Sequence, residues 1–485
     1  MTSRLHRLLA RGPLTPHRYI GLVGSVALAM GALQVGARPG RADADALPGL
    51  GDAPAMLAGL VGLVLLTVAW WRVLTTGHQL TGRWVVLTAA LWTLPLLVAP
   101  PLASRDPYAY LCQGAVFNAG LDPYATSPAA LPCPWLDSVP PVWREASSPY
   151  GPLATMLSAD AAVAADATGR VEAGVDVLRL IALVGVLLAV WAGRRLARAA
   201  GVDEARAGAL ALASPLVLVH AVGGAHLDAM MTGLVLAAFA TAATRRPWAA
   251  PGAGLVLGLA VAVKATALVA LPFAALLARR GPGGRGRAAA LGATAGATVL
   301  GYAVLAVPTG LGAGFVQALR GSADRAQWTS PPTAIGMAVR YALRAVGLDS
   351  DVPVATAQAV GVALAIAVVV AAWWRVRDDG VRAIVAAGGV AAAAMALLGP
   401  VFYPWYGLMP LALLAVSTSD NRARAWIGAA TAPLAYLILP NGVGLAPRTK
   451  LPGALAVTAA LMVAALRLVR GRARPTTPTG TGSRG

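Results

Sequence analysis

Asp106 is the carboxylate whose neighbours best suit it for chemistry. It stands in Ser104-Arg105-Asp106-Pro107-Tyr108, where Asp-Pro reads as a helix start, with Asp at the cap and Pro at the first helical position. A capping carboxylate is well oriented, and an oriented carboxylate can serve as a general base. Capping alone is the competing role. Behind it, Tyr108, Leu111, Cys112, Ala115 and Val116 fall on one face at helical spacing. That pattern predicts an amphipathic helix lying on the outer leaflet of a membrane, with its tyrosines at headgroup depth. Gly120 ends this helix, and Asp122-Pro123-Tyr124 repeats its opening. Asp122 reads as a cap or the end of a turn. Further on, Trp143 and Tyr150 lie in PPVWREASSPYGPL. Their rings suit the C–H face of a sugar or an interfacial anchor, and spacing does not decide between the two.

Polar groups recur at four other places. Residues 223–228 read GGAHLD. His226 and Asp228 are metal-ligand types, but one pair falls short of a site, so no metal is expected. Ionisable groups at a membrane helix end favour a functional cavity instead. Lys264 interrupts an apolar stretch of about 30 residues, where it would snorkel to the interface or bind a lipid phosphate. The stretch 308–332 carries Arg320, Asp324, Arg325, Gln327, Trp328 and Ser330. Two arginines there suit a phosphate, or merely a solvated face. Residues 399–406 read GPVFYPWY, so Tyr403, Trp405 and Tyr406 form either an aromatic belt or a platform for a sugar or prenyl chain. Cys112 and Cys133 share one loop. An oxidising outer location suits a disulfide, while Cys112 on the apolar face suits a buried thiol, and both readings stand. No P-loop, Rossmann fingerprint, HExxH, GxSxG or CxxC motif is present. This argues against an ATP-driven pump, and no cofactor is expected.

The elements that position these groups follow from composition. The 485 residues are 58% hydrophobic and only 12% charged, against about a quarter charged in soluble domains. Mean hydropathy is +0.68. A soluble fold, a collagen, a disulfide-stapled miniprotein and a disordered chain are excluded. Apolar runs occur at 19–37, 54–72, 84–102, 174–193, 205–222, 226–243, 249–263, 265–279, 288–307, 353–374, 381–398, 404–418, 424–440 and 452–468. They predict an all-α polytopic membrane protein with about 12–14 spans. The pair 249–263 and 265–279 is short, and reads as a hairpin with Lys264 at its turn. Segments 149–167 and 333–348 carry Asp160, Asp166, Arg340 and Arg344, and read as re-entrant or surface helices. The first run follows a basic stretch without a cleavage site, so it reads as a retained helix. Residues 1–18 form a basic cytoplasmic segment, 19–470 the membrane body and 471–485 a polar tail expected to be disordered. No internal repeat is evident.

Charge sets the orientation. With the N-terminus cytoplasmic, 26 of the 39 basic residues but only 5 of the 20 acidic ones fall on inner segments. Both termini are then cytoplasmic, and the long loops 103–148 and 308–332 lie outside. The net charge of +19 is thus a topological signal. No basic helix, zinc finger or aromatic-basic interleave suggests nucleic acid.

These pieces together resemble the GT-C membrane glycosyltransferases. More narrowly, they resemble the actinobacterial α-1,6-mannosyltransferases that use polyprenol-phosphate-mannose in lipomannan and lipoarabinomannan synthesis. The likeness rests on Ser104-Arg105-Asp106-x-Tyr108-x-Tyr110 with Gln113-Gly114; Gly120-Leu121-Asp122-Pro123-Tyr124; Val142-Trp143-Arg144 with Pro149-Tyr150-Gly151-Pro152; His226-x-Asp228; Lys264; and Tyr403-Pro404-Trp405-Tyr406. It implies a GT-C fold in the plasma membrane with the active site at the outer face. It implies a polyprenol-phosphate-mannose donor, a mannan or lipoglycan acceptor, inversion at the sugar, no metal, and Asp106 as the catalytic base. Lys264, Arg320 or Arg325 would meet the leaving phosphate, and His226 and Asp228 would line the sugar pocket. Arg105, Tyr108, Gln113, Asp122, Tyr124, Trp143, Tyr150, Trp328, Tyr403, Trp405 and Tyr406 complete the expected substrate-binding set. The alternative is a transporter or flippase of polyprenol-linked sugars, which would place polar groups at the midplane on broken helices. The short pair around Lys264 is the feature that suits it best.

Overall fold

A backbone in hydrocarbon must satisfy its own hydrogen bonds, and runs this apolar do so as helices. The computed structural model describes residues 14–40, 49–76, 80–280, 283–322 and 325–472. Among these residues the fold is helical throughout, apart from an isolated bridge between Ile438 and Gly444. Most of the basic N-terminal segment and the tail from residue 473 lie outside the described residues.

In chain order the main helices are α1 (Thr15–Val35), α2 (Ala53–Thr75), α3 (Gly82–Leu97), α4 (Asp106–Asn118), α5 (Pro152–Thr168), α6 (Val171–Ala199), α7 (Asp228–Ala242) and α8 (Ala249–Val263). Then follow α9 (Leu271–Ala278), α10 (Gly283–Ala306), α11 (Pro331–Ala345), α12 (Val352–Val376), α13 (Val381–Leu398), α14 (Leu408–Ser417), α15 (Asn421–Thr431) and α16 (Lys450–Arg472).

Seven described helices are long and apolar enough to cross a membrane: α1, α2 with its leading turn, α6, α10, α12, α13 and α16. The segment Val217–Gly223 and α7 make an eighth if taken as one span broken by a 108° bend. This is fewer than the 12–14 spans expected. Run length in a sequence counts residues that the fold spends on breaks and short turns. The run 205–222 divides into Glu204–Leu210 and a π-helical turn, Val217–Gly223. The run 424–440 divides into α15 and a 3-10 turn, Ala432–Tyr436. The α3, α8, 265–278 and 404–417 segments are apolar helices of 10–17 residues. The 17-residue α5 and 15-residue α11 are not among the spanning helices.

The loops sort into two groups. Arg194 and Arg198 pair with Glu204 at 2.6 and 3.0 Å. Arg382 donates to the carbonyls of Ala200 and Gly201, and Arg424 to that of Arg206. Arg279 and Arg287 share Asp378. The short basic loops thus hold one another. The long polar loops meet each other, where Arg325 donates to the Val142 carbonyl, and the first of them meets the segment just past α1. Arg105 and Tyr108 reach the carbonyls of Arg38 and Ala37, just past α1, and Gly40 donates to Ser138.

Candidate active site

The helix carrying Asp106 is not a surface helix. Every residue from Asp106 to Gly114 is buried, as is Val116, so the expectation of an amphipathic helix on the outer leaflet is wrong. The tyrosines do not seek headgroups because internal partners take their hydroxyls. Tyr108 donates to Ala37 O at 2.6 Å, and Tyr110 meets Tyr150 and His226 Nδ1 at 3.2 Å each. Gly114 lets α4 touch α5 directly, since a Cβ there would collide with the Ser158 backbone. Gln113 accepts from Ser148 Oγ at 3.1 Å and so anchors the strand of chain leading to Tyr150. Cys112 is joined to Cys133 by a disulfide, with the Cα atoms 5.6 Å apart.

Asp106 does not cap its helix. Arg105 occupies the cap position, and Ser104 Oγ accepts from the Asp106 N–H at 3.1 Å. The carboxylate is thereby released to point elsewhere. Its Oδ1 accepts from Trp143 Nε1 at 3.0 Å, and its Oδ2 lies 3.9 Å from His226 Nδ1. Burial pushes the carboxyl up to about 7, against the opposing pull of the Trp143 hydrogen bond and the Lys264 charge.

The 108° break before α7 and the turn between α8 and 265–278 bring two further groups in. Lys264 Nζ lies 2.8 and 3.0 Å from the two oxygens of Asp228. Both side chains are nearly inaccessible, at 6% and 1% exposure. Lys264 therefore does not snorkel. It sits 4.3 Å above the Tyr406 ring and 5.5 Å from that of Tyr150. The Pro404–Gly407 turn stacks Tyr403 on Trp405 (4.9 Å, 7°), and Trp405 on His226 (3.8 Å, 21°). From the other long loop, Arg325 places its guanidinium 4.3 Å over the Trp143 ring.

These groups enclose a cavity of about 240 Å³. Asp106, Trp143, Tyr150, Asp228, Lys264, Arg325, Tyr403, Trp405 and Tyr406 line it. Val362 and Ala365 of α12, and Ala392, Met395 and Ala396 of α13, supply an apolar side. Sequence reasoning did not find these apolar residues. Nothing in a spanning helix marks one small residue over the next until its neighbours are known. Tyr110, present in the quoted motif but not singled out, joins the site through Tyr150 and His226.

Other expected residues lie elsewhere. His226 is fully buried behind Trp405 and does not line the cavity. Arg105, Tyr108 and Gln113 brace loops, as described. Asp122 is exposed and accepts from the Tyr124 N–H in a local turn. Tyr124 packs against Phe315. Trp328 donates to Thr449 at 3.1 Å and packs with Met337, Val354 and Ala454, away from the cavity. The side chain of Arg320 and the whole of Asp324 fall outside the described residues. No cluster of three His, Cys, Asp or Glu that could hold a metal exists among the described residues.

The same chain regions match two family models. Residues 18–280 match the N-terminal domain of alpha-(1->6)-mannopyranosyltransferases, and residues 332–469 the MptB C-terminal domain. The chain belongs to the alpha-(1->6)-mannopyranosyltransferase family. Alpha-(1->6)-mannopyranosyltransferase A of Mycobacterium tuberculosis is 34% identical over 364 residues, covering 73% of this chain and 69% of the relative. A probable alpha-(1->6)-mannopyranosyltransferase of Mycolicibacterium smegmatis is 34% identical over 442 residues, covering 81% and 78%. Alpha-(1->6)-mannopyranosyltransferase B of Corynebacterium glutamicum is 28% identical over 470 residues, covering 88% and 77%. The protein is accordingly a polytopic mannosyltransferase, and the transporter alternative lapses.

Proposed function

We propose that this mannosyltransferase moves mannose from polyprenol-phosphate-mannose to a mannan or lipoglycan acceptor, with inversion, at the extracytoplasmic face of the plasma membrane. Asp106 is the general base. The observation that carries this reading is the Asp106 carboxylate on the wall of a cavity whose other walls are cationic, aromatic and apolar.

In the reaction, an acceptor hydroxyl attacks the anomeric carbon. Its proton passes to Asp106, the new C–O bond forms, and the bond from the anomeric carbon to the phosphate oxygen breaks. The electron pair leaves with the prenyl phosphate. A carboxyl poised near neutrality suits this task, because a base works best with a pKa near the working pH. The growing charge on the phosphate needs a cation. Lys264 is held by both oxygens of Asp228, so a phosphate would have to share it. Arg325 has only the Trp143 ring and the Val142 carbonyl as described partners, and is the better placed of the two. The apolar side formed by α12 and α13 suits a prenyl chain, and Tyr403 and Trp405 suit a sugar face.

The test is sugar transfer from polyprenol-phosphate-mannose to a short α-1,6-mannoside, in membranes carrying wild type or Asp106→Asn at equal abundance. Transfer should fall by about 10²- to 10⁴-fold in the variant. Equal transfer by both would remove Asp106 from the chemistry. Transfer from a nucleotide-linked donor alone would overturn the lipid-phosphate reading.

A further inference from the structure

The indole of Trp143 has two neighbours of opposite charge. Its N–H donates to Asp106 Oδ1 at 3.0 Å, in the ring plane, and its face carries the Arg325 guanidinium at 4.3 Å. The same ring lies 6.2 Å from Tyr403. Trp143 comes from the four-residue helix Pro141–Arg144. That helix follows the disulfide-anchored segment ending at Cys133. Asp106 and Arg325 belong to different long loops, 219 residues apart in sequence, and the indole joins them through a direct hydrogen bond to one and a ring-face contact with the other.

We propose that Trp143 is the positioning residue of this enzyme: its N–H fixes one carboxylate oxygen of Asp106 and leaves Oδ2 to receive the proton, while its face holds the Arg325 guanidinium at a set distance from that base. The proposal rests on Asp106 being the base. An indole is rigid and donates a single hydrogen bond, so it fixes the distance between base and cation in a way that a flexible donor would not. A hydrogen bond donated to a carboxylate favours the ionised form. Removing it therefore raises the Asp106 pKa, and activity is lost at a higher pH as the base protonates. The other charged or titratable groups around Asp106 are His226, Lys264, Asp228, Arg105 and Arg325, together with the hydroxyls of Tyr110, Tyr150, Tyr403 and Tyr406. Neither Trp143 substitution alters any of them, and the Arg325 charge is not among the causes of the Asp106 shift.

The experiment compares the pH dependence of kcat/KM for wild type, Trp143→Phe and Trp143→3-benzothienylalanine in native-like membranes. The benzothienyl ring keeps the indole shape and replaces N–H by sulfur, so it guards against a folding defect in the Phe variant. In both variants the acidic limb should move up by about one to two pH units. The loss at low pH should lie in kcat, with KM for donor and acceptor changing little. Arg325→Gln should lower kcat without moving the limb. An unmoved limb in the benzothienylalanine variant would overturn the positioning role while leaving Asp106 as base. Retained activity in Asp106→Asn would sink both.

Discussion

At the scale of single residues, the balance between burial and partners decides behaviour. Asp106 loses its hydration, and its carboxyl rises to about 7. A raised carboxylate is ionised above its folded pKa and protonated below it. Activity should therefore be high above about pH 7 and fall as the pH drops through that value, which a kcat/KM profile would reveal. A wild-type limb near pH 4, the range of a solvated carboxylate, would contradict it. The buried Lys264–Asp228 pair makes a different prediction. Removing one partner of a buried pair strands the other and costs about 3–5 kcal/mol, whereas removing both costs less. Lys264→Met should thus lower the unfolding temperature in detergent more than Lys264→Met with Asp228→Asn. Sequence alone singled out these residue types, but not their pairings. Asp106 and Trp143 are 37 residues apart, and Asp228 and Lys264 are 36 apart, with no periodicity to announce them. The expected cap at Asp106 failed for a local reason: the helix starts one residue earlier, with Arg105 at the cap and Asp106 already the first helical residue, its N–H bonded to Ser104 Oγ.

At the scale of elements, close backbone approach holds the site together. Gly114 leaves α4 lying on the backbone of Ser158 and Ala159. Gly114→Ala should destabilise the solubilised enzyme, because the obstacle is main chain and cannot rotate aside. Gly292→Ala in α10 is the matched control: nothing lies within 4 Å of a Cβ there. It should be neutral or stabilising by up to about 1 kcal/mol. A thermal-shift comparison in one detergent checks both, and equal melting temperatures would refute the packing argument. The positions of the helices were largely legible, since α8, α12 and α13 coincide with their apolar runs within two residues. The surroundings of α4 were not legible. Its face of Tyr108, Leu111, Cys112, Ala115 and Val116 was visible, but the opposite face also packs inside. A one-sided pattern cannot distinguish a lipid surface from a protein wall when the remaining residues are small or hydrogen-bonded.

At the scale of the whole molecule, the basic loops interlock with one another and the long loops with one another. The orientation inferred from charge then predicts labelling from opposite sides. Leu121→Cys, exposed in a long loop, should react with an impermeant maleimide in intact cells. Arg195→Cys, exposed at the end of α6, should react only after permeabilisation. Cys112 and Cys133 are bonded to each other and give no background. The reverse labelling pattern would invert the molecule. The disulfide itself closes a short loop, with a sequence separation of 21, and is worth about 3 kcal/mol in the chain-entropy model. It also bears on the order in which the enzyme is made. Asp106, both cysteines, Trp143 and Tyr150 emerge from the ribosome in one short stretch, long before Arg325 and the 403–406 aromatics. Domains tend to fold N-terminal part first during synthesis. The wall bearing the carboxylate can be stapled while half of the polypeptide is still unmade, and the later helices then assemble against a finished template.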